Sequence, residues 1–224
     1  MLPCVVLLEV ATVCVFGPFR GHRLRSLGVV LALLILGMAG AGRPIPVLAQ
    51  SANLAGQFLV ATDELRDPRF LRTVVYMVQH DARGAMGFIV NRPLGEAPIA
   101  TLVERFGLDR KDVSGDIRVH YGGPVDPGRV FVLHTSDYAI DATHVVKDGI
   151  AVTSHPEILR AIGTRMGPRR SLFAVGYAGW AAGQLEGEIK AGAWVAVPAD
   201  EALVFDENYE KKWERAMARR TIQL

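Results

Sequence analysis

Short apolar segments rich in β-branched and aromatic residues recur from residue 57 to residue 205, each bounded by Gly, Pro, Asn or Asp. Such segments are typical of β-strands, and the residues that bound them are those that turns require. Helical spacing appears in separate stretches that do not alternate steadily with the strands. The βαβ units of a parallel sheet would require such alternation. The sequence therefore predicts an α+β fold with a mixed sheet.

The clearest pair of predicted strands is a hairpin. Residues 72–79 and 86–91 are joined by Asp81–Gly84, which has Asp first and Gly last, as in a type I turn. We expect Arg92 and Pro93 to end this pairing, because Pro has no N–H to donate to a ladder. The other predicted strands are residues 57–61, 117–121, 129–134, 144–146, 150–153, 171–177, 194–197 and 203–205.

Helical patterns occupy four stretches. The second begins at a capping box in Ser154–Glu157. In such a box the Ser hydroxyl accepts from the third helical N–H, and the Glu carboxylate reaches back to the N–H of the Ser. The last is charged and follows Asp206, which we expect to be its N-cap. The predicted helices are Ile99–Phe106, Ser154–Gly167, Ala181–Ala191 and residues 207–219.

Positive charge is concentrated at the N-terminus. Residues 1–50 hold four Arg and one Glu, whereas residues 51–224 hold 21 basic and 22 acidic residues, for a net charge of −1. A nearly neutral domain lacks the clustered cations that non-specific nucleic-acid binding requires, so the sequence carries no strong nucleic-acid signal. Both cysteines, Cys4 and Cys14, lie in the N-terminal part, so the domain can form neither a disulfide nor a thiolate metal site.

Residues 1–50 form an apolar leader, and residues 51–224 form a single domain. The apolar run Leu27–Ala41 follows the basic segment Arg20–Arg25, which is the order found in a signal peptide. The run is short for a membrane span of roughly 20 residues. Three interpretations are open: a signal peptide, a membrane anchor, or a start codon assigned too far upstream. Only this leader suggests contact with a membrane.

No catalytic residue, metal site or cofactor is predicted. The five histidines of the domain form no i, i+4 pair on a helix and have no carboxylate at metal-site spacing. The sequence also lacks a G-x-S-x-G elbow, a P-loop and an H-E-x-x-H motif. We interpret His80, His120, His134, His144 and His155 as strand-end or surface residues.

Two glycine-rich segments are the candidate binding elements. Gly122 and Gly123 connect two predicted strands, where glycines either expose N–H groups to an anion or form a tight structural turn. Gly176–Gly183 is predicted as a turn that leads into a helix N-terminus, a geometry suited to phosphate or carboxylate. Within it, Trp180 is either an exposed anchor for a partner or a part of the core.

Together these segments resemble the bacterial AlgH/YqgE family of small proteins. The resemblance spans residues 54–224 in order and with similar spacing, and it is specific as a set rather than in any one motif. Arg92 stands where many members carry Lys, and the leader precedes the position near Leu54 at which members commonly begin. The matching residues are Phe58–Ala61, Asp67–Pro68, Thr73–Tyr76, His80, Gly84–Gly87, Val90–Asn91, Pro93, Gly122–Pro124, Leu133–Thr135, Gly176–Trp180, Gly183–Glu186, Glu188 and Trp194.

The resemblance implies a mixed, bifurcated β-sheet folded into a pseudo-barrel with flanking α-helices. It also implies a cytoplasmic location and the absence of a cofactor, with export or membrane anchoring as the alternative if residues 1–49 act as a leader. Members have been linked to transcriptional control of exopolysaccharide synthesis. The family has no established reaction or DNA-binding motif, so it supplies no catalytic residues to transfer.

We therefore predict a non-enzymatic binding or regulatory module with a protein partner. The alternative is an enzyme or sensor that binds a small anionic or nucleotide-like ligand at Gly176–Gly183. The first hypothesis predicts that Trp180→Ala or Asn91→Ala leaves the fold intact and abolishes partner binding. The predicted surface consists of Asn91, Arg92, Pro93, Gly122, Gly123, Pro124, Gly179, Trp180 and Gln184.

Overall fold

The structure is a computed structural model that describes residues 53–220. The predicted leader, residues 1–50, lies outside the described residues, so its three interpretations stay predictions. In chain order the strands are β1 Gln57–Ala61, β2 Val74–Asp81, β3 Gly84–Ile89, β4 Pro93–Pro98, β5 Asp116–Tyr121, β6 Val125–Thr135, β7 Thr143–Lys147, β8 Ile150–Thr153, β9 Ser171–Ala181 and β10 Trp194–Pro198. The helices are α1 Ile99–Arg105, α2 Glu157–Gly163, α3 Gln184–Lys190, α4 Glu201–Val204 and α5 Tyr209–Met217.

The strands join into one curled sheet that is mostly antiparallel. Its main path runs β10-β1-β2-β3-β9-β6-β8-β7, and β4 is attached through β5. Among the described strands, the β5–β9 pair alone is parallel. This arrangement, with its few helices, confirms the predicted α+β class.

The predicted hairpin is confirmed as β2 and β3, with Asp81 opposite Gly84. Pro93 lies beyond that pairing, as predicted, but it also begins β4, a strand that was not predicted from the sequence. A proline is tolerated there because β4 pairs with β5 alone and forms an edge, where a missing N–H breaks no central ladder.

Strand β9 connects the two halves of the sheet. Its first half pairs with β5 and β6, and its last four residues, Ala178–Ala181, pair with β3. Gly176 lies between the halves with a φ of 69°. A Cβ on Gly122 would overlap the carbonyl oxygen of Gly176, and a Cβ on Gly123 would overlap the carbonyl carbon of Tyr177. These glycines are required because two backbones touch where β9 crosses the end of β5.

Both faces of the sheet are covered, because successive side chains of a strand point to opposite sides. Phe58 and Tyr76 belong to a buried cluster that α4 and α5 complete. Their neighbours Leu59 and Val75 belong to a second cluster, which α3 completes on the other side. A third cluster lies beneath α1 and α2 and includes Phe173 of β9.

The start of α2 differs from the prediction. The Ser154 hydroxyl accepts from the Arg129 guanidinium at 3.0 Å, and the helix begins after Pro156 with no side-chain cap. The predicted capping box is therefore wrong, because its hydroxyl is used by a neighbouring strand. The helix also ends at Gly163, four residues earlier than predicted.

The segment before α5 also differs. Residues 203–205 were predicted as a strand, but Leu203 and Val204 lie in α4 and Phe205 is its C-cap. The Asp200 carboxylate caps this helix by accepting from the Leu203 N–H at 2.8 Å. The N-cap of α5 is Asn208 rather than the predicted Asp206.

Candidate functional site

Asn91 and Arg92 hold the preceding loop against the sheet. The Asn91 side chain accepts from the Val74 N–H and donates to the Arg72 carbonyl oxygen, both at 2.9 Å. Arg92 donates to two carbonyl oxygens of the same loop, at 2.8 and 2.7 Å. Both side chains therefore satisfy backbone groups, and we expect Asn91→Ala to loosen this loop, in contrast to the sequence-based expectation of an intact fold.

The backbone brings the first two predicted segments together. The Tyr121 N–H donates to the Arg92 carbonyl oxygen, and the Gly122 N–H donates to the Val175 carbonyl oxygen, both at 2.9 Å. Gly122 and Gly123 are buried against β9, so this segment is a tight structural turn rather than an exposed anion site. Of the predicted surface residues, Pro93, Gly179 and Gln184 are exposed, Asn91, Arg92 and Pro124 are half-buried, and Gly122, Gly123 and Trp180 are buried.

Gly176–Gly183 does not form the predicted turn. Its first six residues belong to β9, and α3 begins at Gln184, after Gly183 with a φ of 76°. The Gln184 side-chain oxygen accepts from the Ala181 N–H at 3.1 Å and closes the connection. The turn between the strand and the helix is therefore confined to Ala182 and Gly183, because Gly176 serves the crossing of two strands instead.

Trp180 is buried rather than an exposed anchor, with 7% of its surface accessible. Its indole N–H donates to Glu188 at 2.9 Å, and the Trp194 indole donates to the same carboxylate oxygen at 2.8 Å. The two rings meet edge to face with centroids 5.9 Å apart. Glu188 thus joins two core aromatics, and Trp180→Ala would remove part of the core.

An open cleft of about 420 Å³ does lie on the surface beside Gly179. We call it the Gly179 cleft. Met86, Val125 and Tyr177 contribute apolar surface to it, and Arg83 is a charged residue of its lining. Gly179 is the predicted surface residue that is exposed in this cleft.

Three of the five histidines, His80, His120 and His134, are buried rather than at the surface, and each is the second-last residue of its strand, so the strand-end interpretation applies to them. The ring nitrogens of His134 lie 2.9 Å from the Thr135 carbonyl oxygen and 2.9 Å from the Thr153 hydroxyl. His80 accepts from a backbone N–H and contacts Glu186 at 3.0 Å. Both rings are structural links between strands or helices. Within residues 53–220 no group of three potential metal ligands comes together.

The third buried histidine, His120, belongs to a second cleft, of about 240 Å³, which we call the His120 cleft. It lies between β5, the start of β9 and the segment that joins α4 to α5. It is also next to Pro93 of the predicted surface, because Pro93 is the ladder partner of His120. Among the polar side chains that line it are Asp116, Arg118, His120, Asp206, Glu207 and Tyr209.

The His120 ring has one nitrogen without a partner. Its Nδ1 lies 3.2 Å from the Phe173 carbonyl oxygen, and since a carbonyl can only accept, Nδ1 carries the hydrogen of the neutral ring. The lone pair is then on Nε2, which is buried and has no hydrogen-bond partner within the described part of the chain. Burial, with the nearby charges of Lys212 and Arg118, lowers the pKa of His120 to about 4, so the ring is neutral near pH 7.

Lys212 of α5 lies one helical turn after the lining residue Tyr209 and is fully buried. Its amine donates to the carbonyl oxygens of Val90 and Val204, at 2.9 and 3.0 Å, and lies 5.0 Å from the centre of the Tyr209 ring. Burial lowers the pKa of Lys212 to about 7. A buried amine with a lowered pKa, beside an unpartnered imidazole in a cleft, is the kind of environment that clusters at functional sites.

Tyr209 organises the polar wall of the cleft. Its ring centroid lies 5.0 Å from that of His120, and the Arg118 guanidinium lies 5.5 Å from the ring centre. Arg118 also pairs with Glu96 of β4. The cleft is therefore built from β5 and α5, with β4 holding its arginine in place.

This cleft was not predicted from the sequence. One signal was present: Lys212 stands between Tyr209 and Ala216 at helical spacing, in the buried stripe of α5. A charged residue in such a stripe indicates a buried cation with a specific environment. The approach of α5 to His120, however, has no local sequence pattern.

No helix within residues 53–220 has the length and apolarity needed to cross a membrane.

The fold and the His120 cleft define a small α+β domain, built on one curled sheet with a polar cleft beside its central strand. The chain belongs to the AlgH-like family, whose model matches residues 58–224. This match confirms the resemblance that the motifs indicated.

Relatives and solved structures agree with this assignment. A UPF0301 protein of Rhodospirillum rubrum is 46% identical over 177 residues, which cover 78% of this chain and 92% of the relative. A UPF0301 protein of Methylococcus capsulatus is 43% identical over 175 residues, or 78% and 96% of the two chains. The solution structure of the AlgH protein from Pseudomonas aeruginosa is similar with a TM-score of 0.64 and 38% identity, over 76% of this chain and 90% of that one. A Corynebacterium diphtheriae protein, 19% identical with a TM-score of 0.61 over 78% and 91% of the two chains, shares the fold.

Proposed function

We propose that this protein is a non-enzymatic binding module that holds a small polar ligand in the His120 cleft. The observation that carries the proposal is the unpartnered Nε2 of His120. A buried acceptor without a hydrogen bond costs roughly 1–3 kcal/mol, and a bound donor would recover that loss. An open cleft beside such an atom is a typical place for a ligand.

The size of the cleft fits a small molecule. The cleft has a volume of about 240 Å³. Drug-sized ligands occupy pockets of about 300–1,000 Å³, so the ligand is smaller than these. A metabolite, or one end group of a longer molecule, is the appropriate size.

The chemistry of the cleft favours binding over catalysis. A histidine whose pKa is about 4 is a weak base near neutral pH, where general bases work best with a pKa close to 7. The Lys212 amine is fully buried and is engaged with two carbonyl oxygens, so it is not free to attack a substrate. Neither group is placed as a catalyst.

A thermal-shift screen of the full-length chain against small polar metabolites tests this function. A ligand at about 100 times its dissociation constant should stabilise the protein by roughly 2.7 kcal/mol. We expect His120→Gln to abolish the shift, whereas His144→Gln, at an exposed histidine of β7, should preserve it. A ligand that stabilises both variants equally would place its site elsewhere. If His120→Gln is unstable, ligand-induced shifts of the His120 ring resonances in the unmodified protein provide the same test.

A second candidate function is protein binding at the Gly179 cleft. Exposed Gly179 and Val125, a residue that is 37% exposed, lie in an open, partly apolar cleft and favour it. Val125→Glu should abolish partner capture while leaving the fold unchanged, and Val145→Glu, at a 57% exposed valine of β7, is its matched control. Equal capture by both variants would refute this surface. Pro93, Pro124 and Gln184 lie outside this cleft and are not part of this second proposal.

The remaining implications of the resemblance are part of the same proposal. A regulatory role, including one in transcription, would follow if ligand binding at the His120 cleft changed the capture of a partner. A bifurcated pseudo-barrel is supported by the pairing of β9 with both β3 and β5. A cytoplasmic location is proposed from the resemblance, with export through residues 1–49 as the alternative. Mass spectrometry of the native N-terminal peptide distinguishes the two.

A further inference from the structure

We infer that the ligand of the His120 cleft presents a positively charged N–H donor, as in a primary amine, an amidine or a guanidinium group. This inference rests on the proposed function and specifies its ligand class. It replaces the anionic ligand that the glycine-rich segment suggested with a cation, at a different place in the fold. Three observations on the lining of the cleft support it.

The first observation is the polarity of the buried ring. His120 is 2% exposed, and its Nδ1–H is engaged with the Phe173 carbonyl oxygen. The ring therefore offers its Nε2 lone pair and has no hydrogen left to give. A ligand that completes this hydrogen bond must be the donor.

The second observation is that two carboxylates of the lining have no ion-pair or hydrogen-bond partner within the described residues. Asp116 and Glu207 are exposed, and within the described residues neither forms an ion pair or a side-chain hydrogen bond. Their carboxylates can only accept when ionised. A cation that donates to Nε2 would therefore also be attracted by these carboxylates.

The third observation is that the cations near the cleft are already paired. Arg118 forms an ion pair with Glu96, and Asp206, another lining residue, pairs with Arg215. Lys212 is fully buried and donates to two carbonyl oxygens. An anion entering the cleft would meet Asp116 and Glu207, and Arg118 of the lining is already paired, whereas an amine would find three acceptors.

A titration of the isotope-labelled full-length chain with matched small probes tests the inference. The cationic probes are butylamine, putrescine and agmatine, the anionic probes are butyrate and succinate, and butanol is the neutral control. We expect the cations alone to shift the His120 ring nitrogen and the β5 amides in a saturable manner. The double variant Asp116→Asn, Glu207→Gln should weaken this binding about tenfold or more, since each tenfold change corresponds to about 1.4 kcal/mol.

Glu64→Gln is the matched control, because Glu64 is exposed and lies outside the His120 cleft. This variant should bind the amines as the unmodified chain does. Saturable binding of butyrate or succinate at His120, without amine binding, would overturn the ligand class and leave the proposed function standing. Amine binding that the Asp116, Glu207 variant does not weaken, or no shift of the His120 ring with any cation, would also overturn the inference. A ligand from the metabolite screen that stabilises His120→Gln as much as the unmodified chain would overturn the proposed function itself.

Discussion

The side-chain nitrogen of Lys212 lies 2.9 Å from the carbonyl oxygen of Val90, a residue 122 positions earlier in the chain. This hydrogen bond ties α5 to the chain just beyond the end of β3. A second bond from the same amine to Val204 ties α5 to α4. The amine can donate to both carbonyls whether or not it is protonated, so burial selects the neutral form without breaking either link.

This arrangement predicts a dependence of stability on alkaline pH. Burial lowers the pKa of Lys212 from 10.5 to about 7, so between these values the unfolded chain binds a proton that the folded chain does not. The free energy of unfolding should therefore rise with pH across this window, by up to about 1.4 kcal/mol per pH unit. Urea unfolding of the wild type and of Lys212→Met measures the difference. An equal slope in the two proteins would contradict the assignment.

The buried His120 ring gives a separate dependence of stability on acid pH. Burial lowers its pKa from 6.5 to about 4, so the unfolded chain binds a proton in this window before the folded chain does. Stability should fall as pH decreases from 6.5 to 4, and this contribution should be absent from His120→Gln. Thermal unfolding at a series of pH values checks it, with the exposed His144→Gln as control. A His120→Gln curve parallel to that of the wild type would refute the prediction.

The Glu188 carboxylate links two tryptophans, so we expect its removal to lower the free energy of unfolding. Glu188→Ala leaves the buried indole N–H groups of Trp180 and Trp194 without their common acceptor, which should cost about 2–5 kcal/mol in the free energy of unfolding. Trp180→Ala should cost about 3–5 kcal/mol, because it opens a cavity. Denaturant unfolding followed by tryptophan fluorescence measures both. Lys190→Ala, at an exposed side chain of the same helix, should cost much less; a similar loss there would argue against a specific role for Glu188.

Asn91 predicts a loss of loop order. Asn91→Ala removes two hydrogen bonds to the backbone, at Val74 and Arg72, and should destabilise the protein by about 1–3 kcal/mol. Faster amide exchange in the loop before β2 should accompany it. Gln79→Ala, at an exposed position of β2, is the control and should leave exchange unchanged. Unaltered exchange in Asn91→Ala would show that these bonds do not order the loop.

The crossing of β9 predicts opposite effects for two glycines. A Cβ at Gly123 would overlap the carbonyl carbon of Tyr177, so Gly123→Ala should prevent correct folding or greatly reduce thermal stability. A Cβ at Gly187 in α3 has open space around it, so Gly187→Ala should be neutral or stabilise by up to about 1 kcal/mol. Circular dichroism melting compares them. Similar melting temperatures would contradict the close backbone contact.

Agreement between sequence and structure was best where the pattern is local. β1 was predicted with its observed bounds, Gln57–Ala61, and the β2–β3 hairpin with a small shift, because β-branched residues and turn residues act within a few positions. The prediction failed at Ser154, whose hydroxyl is used by Arg129 from another strand. It also failed at Leu203, where Asp200 caps a short helix instead of a strand forming.

The predicted site fared differently from the fold. Gly122, Gly123 and Gly176 lie in the candidate binding segments, but their observed role is the crossing of two backbones, which no spacing in the sequence expresses. Trp180 was left open between an anchor and the core, and its burial with Glu188 decides for the core.

The sequence by itself determined the α+β class, most strands and the family, because these depend on residue types and spacings along the chain. Only the tertiary structure decided the His120 cleft. His120, Phe173 and Tyr209 are far apart in sequence and meet because β5 pairs in parallel with β9 while α5 packs across the sheet. Burial and unpartnered atoms are properties of that packing, since the same histidine in an unfolded chain would be hydrated and unremarkable.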